Sequence, residues 1–413
     1  MQERIITLAT PVFFALIALE IVVGWLRSRN TYRLDDAVSS LSLGVLSQVA
    51  AVFTRLLSIG IYVWLFQSFA QWSWPPDSAW SWIGALLFYD FCYYWHHRAM
   101  HRVNVLWAAH VVHHSSEEYN LSTALRQTGT GALFGWVFYV PMALAGVPPA
   151  LFVAVGLIDL LYQFWIHTRQ IGRLGWFDRV FASPSNHRVH HAVNDRYIDR
   201  NYGGVLILWD RLFGTFEEER DAEPAVYGIL GPLKSWNPLW ANLHIYAQMF
   251  RDAWYTRRPA DKLRVLVSRT GWRPADVAAR FPVVKRPLAE FRRYDPPLAR
   301  PAAWYAGLQF LALMAFALWL EQAAPAMHAT ARTALFACLL CGLVAIGVML
   351  EQLARGRALE RLRLVFTLAA VLGLAATGVA AWPVVAAVVA YLVVSVVLLA
   401  RTSAPSPASY SAG

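Results

Sequence analysis

Apolar runs separated by short polar or turn-forming segments occupy most of this chain. A helix that crosses a bilayer needs about 20 largely apolar residues. By that measure the runs at 5–26, 38–69, 80–95, 131–145, 149–166, 302–320, 333–350, 364–381 and 384–400 are read as membrane-spanning helices. The second is too long for one perpendicular crossing. It is expected to begin as a cytosolic extension, with Arg55 snorkelling toward the headgroups. The fourth and fifth are joined by "AGVPP" and read as a short-looped hairpin. No small-residue cleavage site follows the first run, so it reads as a retained helix and not a signal peptide. The fold class expected is an all-α integral membrane protein, a multi-span helical bundle with a cytosolic helical cap.

The charges between the runs orient them. Arg27, Arg29 and Arg33 follow the first run, the loop at 70–79 has no Lys or Arg, and 96–130 carries Arg98, Arg102 and Arg126. The "AGVPP" turn has none, and 167–301 is strongly basic. Loop 321–332 has one Arg, 355–363 carries Arg355, Arg357, Arg361 and Arg363, the turn at Trp382 has none, and Arg401 follows the last run. The alternation fits nine crossings with the N-terminus outside and the C-terminus in the cytosol. The expected location is a bacterial inner membrane with the histidine motifs on its cytosolic side. Three regions follow: a bundle over 1–167, a cap over 168–301 and a second bundle over 302–401. The tail at 402–413 reads as disordered.

Composition sharpens the picture. Of the 413 residues, 57% are hydrophobic and only 15% charged, too few charges to cover a water-facing surface. Nineteen Trp and 17 Tyr suit the interface belts of a membrane protein. Tyr93, Tyr94, Trp95 and Trp107 are assigned to such a belt. The net charge of +10 is spread without polybasic runs, which argues against nucleic-acid binding. Three cysteines, Cys92, Cys338 and Cys341, make no disulfide framework.

Twelve histidines remain to be explained. "HHRAMH" places His97 and His101 at i and i+4, on one face of a helix, the spacing two ligands need to share a metal. "HVVHH" repeats it with His110 and His114, and "HRVHH" with His187 and His191; His113 and His190 add an i,i+3 partner to each. His167 closes the fifth run and is read as a ligand or a near neighbour. Asp159 and Gln163 stand above it at four-residue steps. Asp90, seven residues before His97, would orient a ligand by accepting its other N–H. Asn186, beside His187, is a further candidate supporting residue. His96 points about 100° from His97 and reads as structural. His244 is left open and His328 falls on the opposite membrane face.

A lone interfacial histidine is more often a packing residue than a ligand. Eight in one repeated spacing on one membrane face read as a metal site. That number exceeds the four to six ligands usual for one ion, so two ions are implied. Imidazole suits Zn, Cu, Fe and Ni alike. Iron would activate O2 for attack on an unactivated C–H bond, and zinc would give hydrolysis or structure. A site at the bilayer surface selects a lipid substrate. Glu117 and Glu118 read as a solvated face, and Asn120, Arg126 and Gln127 either line the site or hold the loop. A metal transporter is the main non-enzymatic rival, but transporters place ligands near the bilayer midplane. A bis-histidine haem protein would need facing histidines within spans.

The three motifs, set between hydrophobic hairpins, resemble the eight-histidine fatty acid hydroxylase/sterol desaturase superfamily. "LWAAHVVHHSSEEYNLSTALRQ", "YQFWIHT" and "HRVHHAVNDRYIDRNYGGVLILWDRLFGTFEEE" resemble its alkylglycerol monooxygenase-like subgroup. The resemblance covers 30–245 well and the rest in hydropathy only. It implies a membrane-bound, non-haem di-iron monooxygenase, with the eight motif histidines as iron ligands and His167 nearby. Some relatives carry a further histidine where Gln163 stands here. The resemblance also implies O2 and a membrane lipid as reactants, with an alkylglycerol-type ether lipid the leading expectation and a sterol or fatty-acyl desaturase or hydroxylase the alternative. Tetrahydrobiopterin is the reductant implied by animal members; a ferredoxin or a cytochrome b5-like protein would serve equally well on the residues alone.

Overall fold

The computed structural model describes residues 2–283, 287–324, 327–378 and 380–402, with side chains excepted at 2–9, 55, 56 and 58. The disordered-tail expectation for 403–413 and the snorkelling of Arg55 lie outside the described residues. Helices occupy α1 (Gln2–Leu26), α2 (Leu34–Phe69), α3 (Ala79–Arg102), α4 (Asn104–Ala108), α5 (Val111–His114), α6 (Leu121–Ala124), α7 (Val140–Leu144), α8 (Pro149–Trp165), α9 (Phe177–Val180) and α10 (Pro184–His190). They continue with α11 (Leu208–Leu212), α12 (Pro238–Tyr255), α13 (Pro259–Val267), α14 (Ala275–Arg280), α15 (Arg300–Ala323), α16 (Ala329–Glu351), α17 (Leu353–Ala376) and α18 (Trp382–Ala400). Among the described residues β-structure is limited to isolated bridges such as Val103 with Arg269. The protein is an all-helical membrane protein, as the hydropathy pattern requires. All three cysteines are free.

Among the described residues, four helices are long and apolar enough to cross a membrane, at Leu34–Thr54, Arg300–Ala323, Ala329–Glu351 and Trp382–Ala400, and the run at 5–26 forms the 25-residue α1. Three of the expected runs depart from a single long apolar helix for local reasons. The run at 131–145 breaks into two 3-10 turns, Gly131–Leu133 and Gly135–Tyr139, and the short α7. Gly131 and Gly135 weaken the helix, and Pro141 brings no N–H. Helix α8 has 17 residues, about 26 Å of rise, short of a hydrocarbon core of about 30 Å. The last seven residues of α3 carry three histidines and two arginines. The arginine-rich stretch at 355–363 is not a loop: it forms the first turns of α17.

The chain packs as two units. One comprises 1–32, 50–233 and 242–292; the other comprises 33–49, 234–241 and 293–413. The first takes in every histidine motif. Its apolar core joins the second half of α2, α3, α7 and α8 through Tyr62, Ala85, Cys92, Met142, Leu151 and Val155. Close approach of α3 and α8 depends on Gly156, where a Cβ would fall 2.9 Å from the Tyr89 ring. The "AGVPP" hairpin forms as expected. Gly146 adopts φ +83° and its carbonyl accepts from the Trp74 N–H at 2.9 Å. The second unit is a bundle of α15–α18 with the first turns of α2, built on Phe310, Leu313, Leu339, Leu343, Ile346 and Leu364.

Gly146→Ala tests the hairpin. Its Cβ would stand 2.2 Å from the Trp72 carbonyl at a left-handed φ, which costs roughly 2 kcal/mol or more. Thermal unfolding of the purified protein should shift down by several degrees. Gly172→Ala, where a Cβ meets nothing within 4 Å, should unfold at the parent temperature.

Candidate metal centre

The three motifs and the end of α8 converge in the first unit. The ligand nitrogens of His97, His101, His110, His114 and His190 lie within 4.8 Å of one another. Those of His113, His167, His187 and His191 form a second such group. All nine rings are buried. The groups adjoin directly: the His114 and His191 rings stack with centroids 4.3 Å apart. Each H-x-x-H-H motif serves both groups. On a helix of about 100° per residue, i and i+4 diverge by about 40°, while i+3 swings about 100° from i+4. The pairs His110/His114 and His187/His191 therefore each share one group. His113 and His190, expected as further partners of those pairs, point into the other.

The nitrogen geometry tests whether a metal fits. Nδ1–H of His97 donates to the Tyr202 carbonyl at 2.8 Å, His113 to Arg126 at 3.0 Å, His167 to Gln163 at 2.7 Å and His190 to Arg200 at 2.9 Å. A carbonyl only accepts, so the ring proton sits on Nδ1 and Nε2 presents a lone pair. Yet Nε2 of His113 lies 3.2 Å from Nε2 of His167, with no proton available between them. Other Nε2 pairs stand as close: His167 to His187 at 3.0 Å, His187 to His191 at 3.2 Å, His97 to His110 at 3.1 Å and His110 to His114 at 3.0 Å. Bonds of about 2.0–2.1 Å to one ion place neighbouring nitrogens about 2.9–3.4 Å apart. The buried Nε2 atoms of His101 and His190 have no hydrogen-bond partner. Burial also disfavours the imidazolium form, pushing His113 down to about 4 and His187, His190 and His191 well below the usual range. Neutral, convergent imidazoles are the state a metal ion requires.

One strap orients three ligands of the first group. The Arg200 and Tyr202 carbonyls hold His190 and His97, and the Asp199 carboxylate faces Nδ1 of His101 at 3.8 Å. Asp199 and Asn201 are both left-handed, at φ 60° and 57°. Asn201 fixes the strap by donating to the Asn186 and Glu217 carbonyls, at 3.0 and 2.8 Å, and accepting from the Glu217 N–H at 2.9 Å. Asp210 accepts from the Tyr202 and Gly203 N–H groups, and Arg102 pairs with Asp199 at 2.7 Å. Behind the second group, Arg188 makes a two-pronged pair with Glu219 at 2.6 and 2.7 Å and donates to the Thr168 and Ile171 carbonyls. This ties the third motif to the chain after His167.

The other sequence-derived candidates sort as follows. Asp90 does not accept from a histidine, because the Tyr202 carbonyl has taken the Nδ1–H of His97. Its carboxylate instead receives the Val205 and Leu206 N–H groups and the Trp209 indole, pinning the segment after the strap. Asp159 accepts from Gln163 at 2.7 Å, and Gln163 accepts from the Tyr93 hydroxyl while its carbonyl holds His167. Asn186 donates to the Asp178 and Phe181 carbonyls at the start of α10. Neither His96, His244 nor His328 belongs to either group; the His96 ring packs on Phe138. Asn120 and Arg126 hold loops: Asn120 caps α6, and Arg126, fully buried, donates to the Val112 carbonyl and Ser115 hydroxyl beneath α5. Gln127 donates to the Ala124 carbonyl. Glu118 is buried and not on a solvated face. Trp107 leaves the expected belt and packs on the His101 and His114 rings, while Tyr94 is buried with its hydroxyl on Thr215. Glu20, an acid within the apolar α1 that no motif marks, accepts from the Leu121 N–H, the Tyr32 hydroxyl and the Thr168 hydroxyl beside His167.

Nine converging histidines in a helical membrane protein define an integral membrane metalloprotein. The fatty acid hydroxylase family model matches residues 82–215, which include all nine. Human alkylglycerol monooxygenase is 38% identical over 362 residues, covering 86% of this chain and 80% of that protein. Its Danio rerio counterpart is 38% identical over 365 residues, with the same 86% and 80% coverage. The Xenopus tropicalis alkylglycerol monooxygenase is 35% identical over 356 residues, 86% of this chain and 79% of its own. No solved structure matches. The chain belongs to the alkylglycerol monooxygenase family and carries the fatty acid hydroxylase domain.

Metal analysis of purified variants checks this centre. His190→Ala and His113→Ala strike different groups, so each should lower bound metal by about one ion of two, whereas His96→Ala, His244→Ala and His328→Ala should lower it by none. Asn201→Ala touches no ligand yet releases the strap, and should weaken metal retention against a chelator by roughly 10–100-fold. Parent-like retention in that variant would remove the strap from the account.

Proposed function

We propose that the nine histidines hold two iron ions, His97, His101, His110, His114 and His190 one and His113, His167, His187 and His191 the other, and that the protein is an O2-dependent monooxygenase acting on a membrane ether lipid of the alkylglycerol type. The observation that carries the reading is the pair of adjoining, purely histidine groups with their lone pairs turned inward. Iron among neutral imidazoles supplies the redox chemistry needed to use O2 on an unactivated C–H bond. The chain's own groups do the rest. Carbonyls of the strap, of Gln163 and of Arg126 hold the rings in one tautomer. Burial of all nine rings excludes bulk water. The apolar α3 and α8 carry or end beside His97, His101 and His167, a setting that suits a substrate with an alkyl chain.

An ether oxygen weakens the adjacent C–H bond and stabilises a carbon radical there. Insertion of one O2 oxygen at that carbon, with two electrons and two protons taking the other to water, yields a hemiacetal. The hemiacetal falls apart to an aldehyde and glycerol without further catalysis. We assign tetrahydrobiopterin as the electron source. Incubation of the iron-loaded protein with a 1-O-alkylglycerol, ¹⁸O2 and, in separate arms, tetrahydrobiopterin, a ferredoxin or a cytochrome b5 tests this. Aldehyde carrying ¹⁸O, with release of unlabelled glycerol, in the pterin arm is the expected result. Ready oxidation of a sterol or acyl lipid, with the ether untouched by every donor, would contradict it.

We also place the centre on the cytosolic face of its membrane, because the arginine-bearing segments flank the histidine motifs while 70–79 has no basic residue. Reporters fused at Gly175 and Arg401 should read cytosolic and one at Pro76 periplasmic. A periplasmic signal at Gly175 would overturn that placement.

A further inference from the structure

Helices α12 and α13 each bury one face and leave a second apolar stripe uncovered. On α12, Met249 and Asp252 are buried, and Ile245 and Tyr246 pack inward on the cluster of Ala108, Met249 and Val265. Leu243, Ala247, Phe250 and Trp254, spaced i, i+4, i+7 and i+11, face outward. On α13, Asp261 and Val265 are buried while Leu263, Leu266 and Val267 face outward. Phe250, Trp254 and Val267 are each 70% exposed and Leu263 72%. Charge flanks the stripes with one sign. Arg251, Arg257, Arg258, Lys262, Arg264 and Arg269 are all exposed. The three aspartates of 242–283 are turned inward or occupied. Asp252 pairs with Arg273 at 2.6 Å, Asp261 is buried, and Asp276 accepts from the Arg257 N–H at 2.8 Å. Large apolar groups beside exposed cations are the pattern of a helix lying in a bilayer interface, with the stripe among the acyl chains and the cations on anionic headgroups.

We propose that the α12–α13 edge is a membrane-surface anchor, seated in an anionic leaflet on the side of the histidine motifs. It is fastened to the metal centre. The Asn104 amide group donates to the Val265 and Trp272 carbonyls at 2.9 and 3.2 Å and accepts from the Gly271 N–H at 2.9 Å. The Asn104 N–H donates to the Ser268 carbonyl at 2.9 Å, and the Thr270 hydroxyl to the His101 carbonyl at 2.6 Å. Whatever depth α13 takes in the leaflet is passed through these bonds to the end of α3, where His97 and His101 sit.

Spin labels decide the matter. Phe250→Cys, Trp254→Cys, Leu263→Cys and Val267→Cys, each in a Cys341→Ser background, are labelled in the full chain and placed in nanodiscs of phosphatidylcholine with phosphatidylglycerol, or of phosphatidylcholine alone. Metal content is read in parallel as a check that the chain is folded, so loss of the anchor and failure of the iron reading stay distinguishable. All four labels should collide more with O2 than with a water-soluble nickel chelate, the preference being stronger in the anionic discs. Reversing Arg258, Lys262 and Arg264 to Glu should abolish that lipid-dependent increase. Labels that prefer the nickel chelate in both lipids would overturn the proposal. So would spin–spin broadening that marks a second copy of the chain on this face.

Discussion

Lone pairs that face one another in a dry interior are the constraint on which the first unit depends. Each buried polar atom without a partner costs about 1–3 kcal/mol, and here several Nε2 atoms are aimed at other acceptors or at nothing. A cation held by each group would convert that repulsion into bonding. The surroundings make sense as the means of preventing the rings from escaping by rotation. Four of them are locked by backbone carbonyls, the strap is held in a left-handed path by Asn201, and Arg188 with Glu219 closes the far side. The Gly204 position shows how tightly the strap is pressed home: a Cβ there would lie 2.7 Å from Asp159 and 3.1 Å from Asp90.

The second unit solves a different problem by the same rule that buried polar groups be fully paired. Within its apolar bundle, Arg363 pairs with Glu360 at 2.6 Å and donates to Gln309 and to the Tyr391 hydroxyl. Tyr305 donates to Glu360, and Gln309 donates to Ser395. The network links α15, α17 and α18 and fixes their register, as interhelical polar contacts do in membranes. Its atoms are spent on each other, which separates it in kind from the histidine groups, where nitrogens are left over.

The nine ligand candidates were legible in the sequence because i,i+4 spacing is a local property of a helix, and His167 was legible from its place at the end of an apolar run. Their division between two groups was not, since it depends on where the i+3 residues His113 and His190 point once α5 and α10 are packed. The carbonyl partners were invisible for a simpler reason: every residue has a carbonyl, and only tertiary structure says which one meets a ring. A faint signal existed in "DRNYGG", where Asp and Asn, residues that tolerate left-handed backbone, precede two glycines. Hydropathy alone does not register that α8 is short, that α3 ends in imidazoles, or that glycines and Pro141 break 131–145. Glu20 is hidden in the sequence because one acid in a long apolar run hardly changes its mean hydropathy.

The central claim is that each histidine group is one half of a two-metal centre. Anomalous scattering from crystals of the protein grown with iron, collected above and below the iron edge, tests it directly. Two iron peaks per chain are expected, one enclosed by His97, His101, His110, His114 and His190 and the other by His113, His167, His187 and His191. A single peak, a peak outside these groups, or zinc at both positions in protein made with ample iron would contradict the account.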